Sequence, residues 1–434
     1  MLVEFSVRNY MSLRDEQAIT FVPTAITELA EENTFDSAVP GVGTLLKSAA
    51  IYGANAAGKS NVLVALMKMR AMVMRSAADG AQDEDIPVKP FSFDDSIESP
   101  TMMQVVFVHE GLRYQYGFEC TRERILEEWM YVYPERRSQV VFTRTYDPST
   151  GLYEWDLKKP WLKGRKTQWK DATGPRSLFV SVAARNNSGQ MVAVREWFRD
   201  RIVDGNLADS NRTAEALEQP DMKRVALAFF DAADLNIVDI RTEAQMVSDT
   251  SNPLFVAVRS ALPVEAQKVL DDAKTYQIWL KHAIKTERDT WIPFSDESRG
   301  TREFFSDLGP MIKALGQGGL LVFDELNNNL HPLLARAIVK LFHSSTWNPR
   351  GAQILFTTHE TALLTTDILR RDQIWFAKKD AQGSSTIYSL TDFETRKEAS
   401  LERQYLHGRF GAIPYISETA FKSILEIPGE EVDG

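Results

Sequence analysis

Apolar side chains alternate with Glu4, Ser6 and Arg8 at the start of the chain, the two-residue period of a half-buried strand. The pattern predicts strands over 2–7 and 18–22, joined through Asn9-Tyr10 and a charged turn. Residues 45–52 then run as a strand directly into a glycine-rich loop, and 61–74 carry Leu, Val, Met and Ala at helical spacing. Short aromatic and β-branched runs at 103–109, 112–118, 128–133 and 139–144, with turn residues between them, predict an antiparallel meander. Residues 176–245 and 261–274 read as mainly helical, with apolar repeats such as Val192, Val194, Trp197, Phe198 and Ile202, then Val225, Leu227, Ala228, Phe230 and Leu235. From 294 to 393 a helical run at 303–315 is followed by strands at 319–323, 353–356 and 373–376 and a helix at 332–343. That alternation predicts a parallel sheet.

The helical middle is long enough to raise the question of a coiled-coil arm. Two antiparallel helices of about 55 residues each would span about 80 Å at 1.5 Å per residue. Gly189, Gly205, Pro220, Pro253 and Pro263 interrupt the stretch, and no heptad survives across them. The expectation is therefore an α/β chain in three parts: a first lobe at 1–155 with the glycine-rich loop and the meander, a compact, mainly helical insertion at 156–285, and a second lobe at 286–434. No long coiled coil is expected, and the acidic end, 430–434, reads as a disordered tail.

Composition narrows the setting without naming the chemistry. With 44% hydrophobic and 25% charged residues among 434, the chain lies near the averages of soluble globular proteins, and no segment reaches the length of apolar residues that a membrane span needs. The amino terminus has no signal-peptide core, so a cytoplasmic protein without a membrane partner is expected. One cysteine, Cys120, excludes an internal disulfide and reads as a small apolar strand residue. A net charge of −10 argues against a protein coated in nucleic acid, although an average leaves room for one basic surface.

The chemistry is carried by separated motifs. Gly53-x-x-x-x-Gly58-Lys59-Ser60 matches a phosphate-cradling Walker A loop: the glycines let backbone N–H groups approach phosphate oxygens, Lys59 reaches the β/γ phosphates and the Ser60 hydroxyl ligates Mg²⁺. Leu320-Leu-Val-Phe-Asp324-Glu325 sets a buried apolar strand before two carboxylates, the Walker B pattern, in which Asp324 supports Mg²⁺ and Glu325 polarises the attacking water. His359 ends the next apolar strand, where a neutral imidazole can contact the γ-phosphate and orient the water. Glu297-Ser298-Arg299-Gly300-Thr301 precedes a helix; it reads either as an ordinary helix cap or as a phosphate-binding helix start.

This set, in this order, resembles the ABC-type P-loop ATPase heads of the RecF/Rad50/SMC/OLD group. It is most similar to the compact AAA family ATPases of bacterial anti-phage defence systems, such as the RloA/AbiL abortive-infection and PARIS-type ATPases. The resemblance covers Tyr52 to Asn61 with Asn55 in the loop, Ser298 and Gly300 of the signature, Asp324, Glu325, a D-loop at 327–332, His359 and the segment Gly408 to Pro414. It implies ATP and Mg²⁺ as cofactors, and a head-to-tail ATP sandwich in which Ser298 and Gly300 of one copy complete the phosphate site of another. The cofactor-binding residues are then Gly53, Asn55, Gly58, Lys59, Ser60, Asn61, Ser298 and Gly300, with Ser60 and Asp324 toward the metal and Glu325 and His359 catalytic. The signature departs from the transporter form, having Glu297 before the serine and Arg299 before the glycine. Gln104, on the first meander strand, is a weak candidate for the Q-loop glutamine.

Three functions follow, the third and weakest making the protein itself a toxin. In the first, a slow ATPase assembles with itself around ATP and controls a separately encoded effector in phage defence. In the second, a repair or recombination ATPase binds nucleic acid through 155–170, where Trp155, Trp161 and Trp169 interleave with Lys158, Lys159, Lys163, Arg165, Lys166 and Lys170. The same segment also reads as a solvated hairpin with its tryptophans packed inward. Residues 183–188 read as a polar loop capping a helix, or as a sensor or partner contact.

Overall fold

The computed structural model describes residues 1–78, 84–158, 161–207, 209–246, 274–283, 290–326, 331–394 and 400–413, with positions 256, 259, 260 and 267. Within these residues two large sheets face each other across a helical layer. The first sheet is antiparallel and holds β1 (Leu2–Arg8), β2 (Gln17–Thr20), β6 (Thr101–His109), β7 (Leu112–Cys120), β8 (Ile125–Tyr133), β9 (Gln139–Asp147) and β10 (Leu152–Asp156), in the order β10-β9-β8-β7-β6-β1-β2. The meander is thus present and one strand longer than expected. Gln104 is a strand residue within it: its Oε1 accepts from Gln115 Nε2 at 2.8 Å and from Trp129 Nε1 at 3.0 Å.

The second sheet has the order β11-β15-β16-β5-β17-β18, from β5 (Ser48–Gly53), β11 (Ile202–Asp204), β15 (Leu320–Phe323), β16 (Gln353–Thr357), β17 (Ile374–Lys379) and β18 (Ser385–Ser389). All its pairings are parallel except β17 with β18. Its central strands are buried throughout, as a sheet covered on both faces requires. The two-residue period then sorts side chains between two cores. Ile51, Val322 and Leu355 join the core shared with the first sheet and the helix Lys59–Arg75, whereas Tyr52, Leu321, Phe323 and Phe356 join the core under the helices Arg299–Gln317 and Pro332–His343. Gln353 staples the sheets together: its Oε1 accepts from Leu2 N at 2.6 Å and its Nε2 donates to Leu2 O at 2.9 Å and Leu46 O at 3.1 Å.

The strand expected over 45–52 is two strands in different sheets. Leu45 and Leu46 lie in β4 (Thr44–Leu46), which pairs with β3 (Thr34–Asp36) in an antiparallel ribbon, and β5 begins only at Ser48. Lys47, buried between them, donates from Nζ to Glu32 O and His343 O, each at 2.7 Å. Two main-chain acceptors fix the ammonium there, a placement that local pattern does not encode.

The insertion holds the short helices Lys166–Asp171, Phe179–Arg185, Gly189–Glu196, Ser210–Ala216 and Pro220–Ala232. Its helices are tied to the meander by Glu128, whose carboxylate accepts from Phe179 N at 2.7 Å and Val180 N at 3.2 Å beside buried Arg144. The end of the region expected to be helical differs: β12 (Ile237–Met246), β13 (Lys274–His282) and β14 (Trp291–Pro293) form a three-stranded antiparallel sheet. Ile237 and Ile240 bury there against the partner strand, a tertiary contact that overrides weak helical spacing. No long coiled coil is present among the described residues, and no helix among them is long and apolar enough to cross a membrane.

The segment 155–170 does not form a hairpin, but its tryptophans pack inward, as the second reading expects. Trp155 lies in β10 and Trp169 in the helix Lys166–Asp171. Trp169 is buried; Trp155 and Trp161 pack against the first core, Trp155 edge-on to Phe179 at 5.3 Å. Trp169 is thus closed to base stacking, and Trp155 is flanked by Phe179 and by the Arg144 guanidinium. Lys158 pairs with Asp156 at 3.0 Å, and Lys166 donates to Leu157 O and Lys158 O; Lys159 lies outside the described residues. The polar stretch at 183–188 is likewise shorter than expected, since Ala183 to Arg185 are helical and only 186–188 connect to the next helix. Cys120 is a buried strand residue, and burial pushes its thiol pKa up. The expected tail at 430–434 and residues 327–330 of the D-loop lie outside the described residues.

Candidate active site

The glycine-rich loop leaves the C-terminal edge of β5, the central strand, where open parallel sheets bind ligands. Gly58 caps the following helix with φ 95°, and a Cβ there would overlap Ser385 Oγ and lie 2.8 Å from Ser12 Oγ. Gly53 is excluded from substitution for a related reason: an added Cβ would stand 2.5 Å from Ala377 O on the neighbouring strand. Behind the loop, Asn61 Nδ2 donates to Ser12 Oγ at 2.6 Å, and Ser12 Oγ meets Ser385 Oγ at 2.7 Å. As at any helix start, the N–H groups of Lys59 and Ser60 have no intrahelical acceptor, whereas Asn61 N donates to Gly58 O at 3.1 Å.

A cavity of about 380 Å³ opens there, bordered by Asn55, Gly58, Lys59, Ser60 and Asn61 from the loop, together with Glu325, His359 and Lys379. Lys59 Nζ donates to Gly53 O and Ala54 O and meets His359 Nε2, each at 3.0 Å. Because the ammonium can only donate, Nε2 is the acceptor and the imidazole is neutral. Desolvation lowers the pKa of His359, and the Lys59 charge lowers it further. Desolvation also lowers that of Lys59, against the opposing pull of Glu325 and Asp324.

The strand between the Walker A and Walker B strands is β16, and its end joins the two motifs. Thr357 Oγ1 donates to Asp324 Oδ1 at 2.5 Å while accepting from Glu325 N at 2.7 Å. Ser60 Oγ donates to the same Asp324 oxygen at 2.8 Å. Glu325 is held at φ 57°, a left-handed conformation that costs a non-glycine residue roughly 1–2 kcal/mol. That turn brings its carboxylate to the cavity wall instead of continuing the strand.

Ser60 and Asp324 thus place a hydroxyl and a carboxylate oxygen together beside the loop, the hard-oxygen donors that suit Mg²⁺. Ser298 and Gly300 are elsewhere: neither borders the cavity. Ser298 caps the helix Arg299–Gln317, its Oγ accepting from Thr301 N at 3.1 Å, and Gly300 is exposed with open space where a side chain would be. Glu297, before the serine, is held by His282 Nε2 at 2.6 Å. The sequence reading missed three residues. Thr357 had a weak signal, a hydroxyl two positions before His359; Lys379 had none beyond its place after an apolar strand. Asn206, whose amide holds the main chain of Asp324 through two hydrogen bonds of 2.8 and 3.0 Å, comes from a distant segment and had no signal at all.

A family model described as "AAA domain, putative AbiEii toxin, Type IV TA system" matches residues 48–365. No protein of curated function matches. Among solved structures, the chain is similar to the SMC head domain from Thermotoga maritima, at 12% identity and a TM-score of 0.39, covering 91% of this chain and 99% of that one. It is similar to an Smc head bound to the C-terminal winged-helix domain of ScpA, at 13% identity and a TM-score of 0.39, covering 93% and 99%. A third, the Smc head with an extended coiled coil bound to the C-terminal domain of ScpA, derived from Pyrococcus furiosus, has 11% identity and a TM-score of 0.38, covering 94% and 98%.

Proposed function

This chain belongs to the AAA-domain family whose model matches residues 48–365, and from that premise we propose that it is an ATP-binding and ATP-hydrolysing switch. It assembles head-to-tail with a second copy around ATP and controls a separately encoded effector in cytoplasmic anti-phage defence. One observation carries the reading: Lys59, Ser60, Glu325 and His359 border one cavity, with Asp324 bonded to Ser60 beside it, while Ser298 and Gly300 do not border it. A site so divided is complete only when another copy supplies the missing half.

In this reading the loop N–H groups and Lys59 bind the phosphates, Lys59 exchanging its carbonyl acceptors for phosphate oxygens. Ser60 and Asp324 hold Mg²⁺, which when bound neutralises charge on the β and γ phosphates. Glu325 orients and polarises the attacking water, and neutral His359 steadies the γ-phosphate side of the cavity. The defence role draws on the motif resemblance; the family's description names a putative toxin and a type IV TA system. The alternative, a DNA-binding repair or recombination ATPase, draws less support, because the tryptophans of 155–170 are packed inward.

Glu325→Gln should bind ATP with Mg²⁺ and stall hydrolysis. Sedimentation of that variant is expected to show dimers or larger assemblies only with nucleotide present. An unchanged mass with ATP demonstrably bound would refute the shared site.

A further inference from the structure

The segment that follows β11 touches two functional elements at once. Gly205 N donates to Val322 O at 2.7 Å, extending the pairing of β11 with the Walker B strand. Asn206 then closes a ring on the main chain of Asp324: its Nδ2 donates to Asp324 O at 3.0 Å and its Oδ1 accepts from Asp324 N at 2.8 Å. A primary amide presents a donor and an acceptor side by side, so it takes the place of one more strand residue where the strand has ended. The carboxylate of Asp324 is fixed from the other side by Ser60 and Thr357. Asp324 is therefore held through both its backbone and its side chain.

The chain next turns into the helix Ser210–Ala216, and Thr213 reaches the middle of the helix that Ser298 caps. Pro310 lies inside that helix and has no N–H, which leaves the carbonyl of Ser306 without its usual partner. Thr213 Oγ1 donates to Ser306 O at 3.0 Å and accepts from Gly309 N at 3.0 Å, repairing the break. Gly309 is required for this approach, since a Cβ there would lie 2.5 Å from Thr213 Oγ1 and 3.0 Å from Thr213 Cα. One short arm thus runs from the metal-supporting carboxylate to the centre of the signature helix.

We propose that Asn206 is a positioning residue for Asp324 and Glu325, and that Gly205 and Asn206 together with the helix Ser210–Ala216 link the Walker B end of one half-site to the signature helix that serves the other. This rests on the ATPase reading above. Movement of the signature helix when a second copy docks is transmitted through Thr213 and Asn206 to the carboxylates, so that hydrolysis follows assembly.

Asn206 is exposed, and Asn206→Ala is expected to fold. Its kcat should fall about 10-fold or more with KM for ATP within about two-fold, the loss expected when a residue supporting a metal ligand is removed. Binding gives an independent readout: titrating Mg²⁺ into protein with a fluorescent ATP analogue should require about 10-fold more metal for half-saturation in Asn206→Ala. Thr213→Val should lower kcat, Thr213→Ser should restore it, and the double variant Asn206→Ala/Thr213→Val should lose little more than Asn206→Ala alone. Parental kcat and parental Mg²⁺ dependence in Asn206→Ala, with Glu325→Gln still stalled, would overturn this inference and leave the ATPase reading standing. Fully additive losses in the double variant would overturn the link through the arm. Failure of the parent protein to bind nucleotide would overturn both.

Discussion

Replacing Gly58 with Ala tests whether the loop is held from behind by Ser12 and Ser385. At φ 95° an L side chain carries a backbone cost of roughly 1–2 kcal/mol. The new Cβ would also lie 2.7 Å from Ser385 Cβ and 2.8 Å from Ser12 Oγ, closer than a carbon can approach either atom. Relief requires β18 to draw back, breaking the 2.7 Å hydrogen bond between Ser12 and Ser385, which contributes about 1 kcal/mol. The single variant should therefore lose about 2–3 kcal/mol. Ser385→Gly removes both obstructing atoms on the strand, so in combination it should recover about 1 kcal/mol or more relative to the sum of the single effects. Urea unfolding followed by tryptophan fluorescence measures the cycle, and affinity for a fluorescent ATP analogue follows the loop itself. Stability of Gly58→Ala within about 0.5 kcal/mol of the parent, or no coupling to Ser385, would show that the loop does not rest on this contact.

Two further predictions concern other parts of the chain. His343 is buried against Ser48 Oγ at 2.9 Å, and desolvation, followed by the charges of Lys47 and Lys340, lowers its pKa to about 3. The unfolded chain takes up a proton near pH 6.5 that the native state refuses, so stability is intact above that value and is lost as pH falls through the window down to about 3. Between pH 7.5 and 5.5 this site should cost about 1.4 kcal/mol, and His343→Gln should flatten the urea-midpoint profile by that amount; parallel profiles would contradict the assignment. Ser298→Arg places a bulky cation at the exposed start of the signature helix. It should cripple turnover while leaving the nucleotide affinity of a single copy nearly intact, and equal loss of both in parallel kinetic and binding assays would mean that Ser298 does not serve a second copy's site.

Much of the candidate site was legible because its signals are local. A strand ending in Gly53, a loop closed by Gly58 and a helix beginning at Lys59 are dictated by short-range backbone geometry, and the helix Pro332–His343 begins at its proline as first-turn propensity requires. The β-strands of the meander were legible from period and residue type. Where propensity was weak, as at Ile237–Met246, the partner strand Lys274–His282 decided the outcome. The basic and aromatic residues of 155–170 suggested a nucleic-acid surface, but composition does not say which way a tryptophan faces.

The sequence by itself determined the glycine-rich loop, the two carboxylates after the apolar strand, the histidine just beyond the intervening strand and the parallel sheet that carries them. Only the tertiary structure decided how these are held: Thr357 between Asp324 and Glu325, Asn206 on the main chain of Asp324, Thr213 in the gap left by Pro310, and Ser12 against Gly58. The reason is physical. Periodicity and turn chemistry act over a few residues, whereas each of these supports joins groups far apart in sequence, and a hydroxyl or amide there is no different along the chain from one facing water.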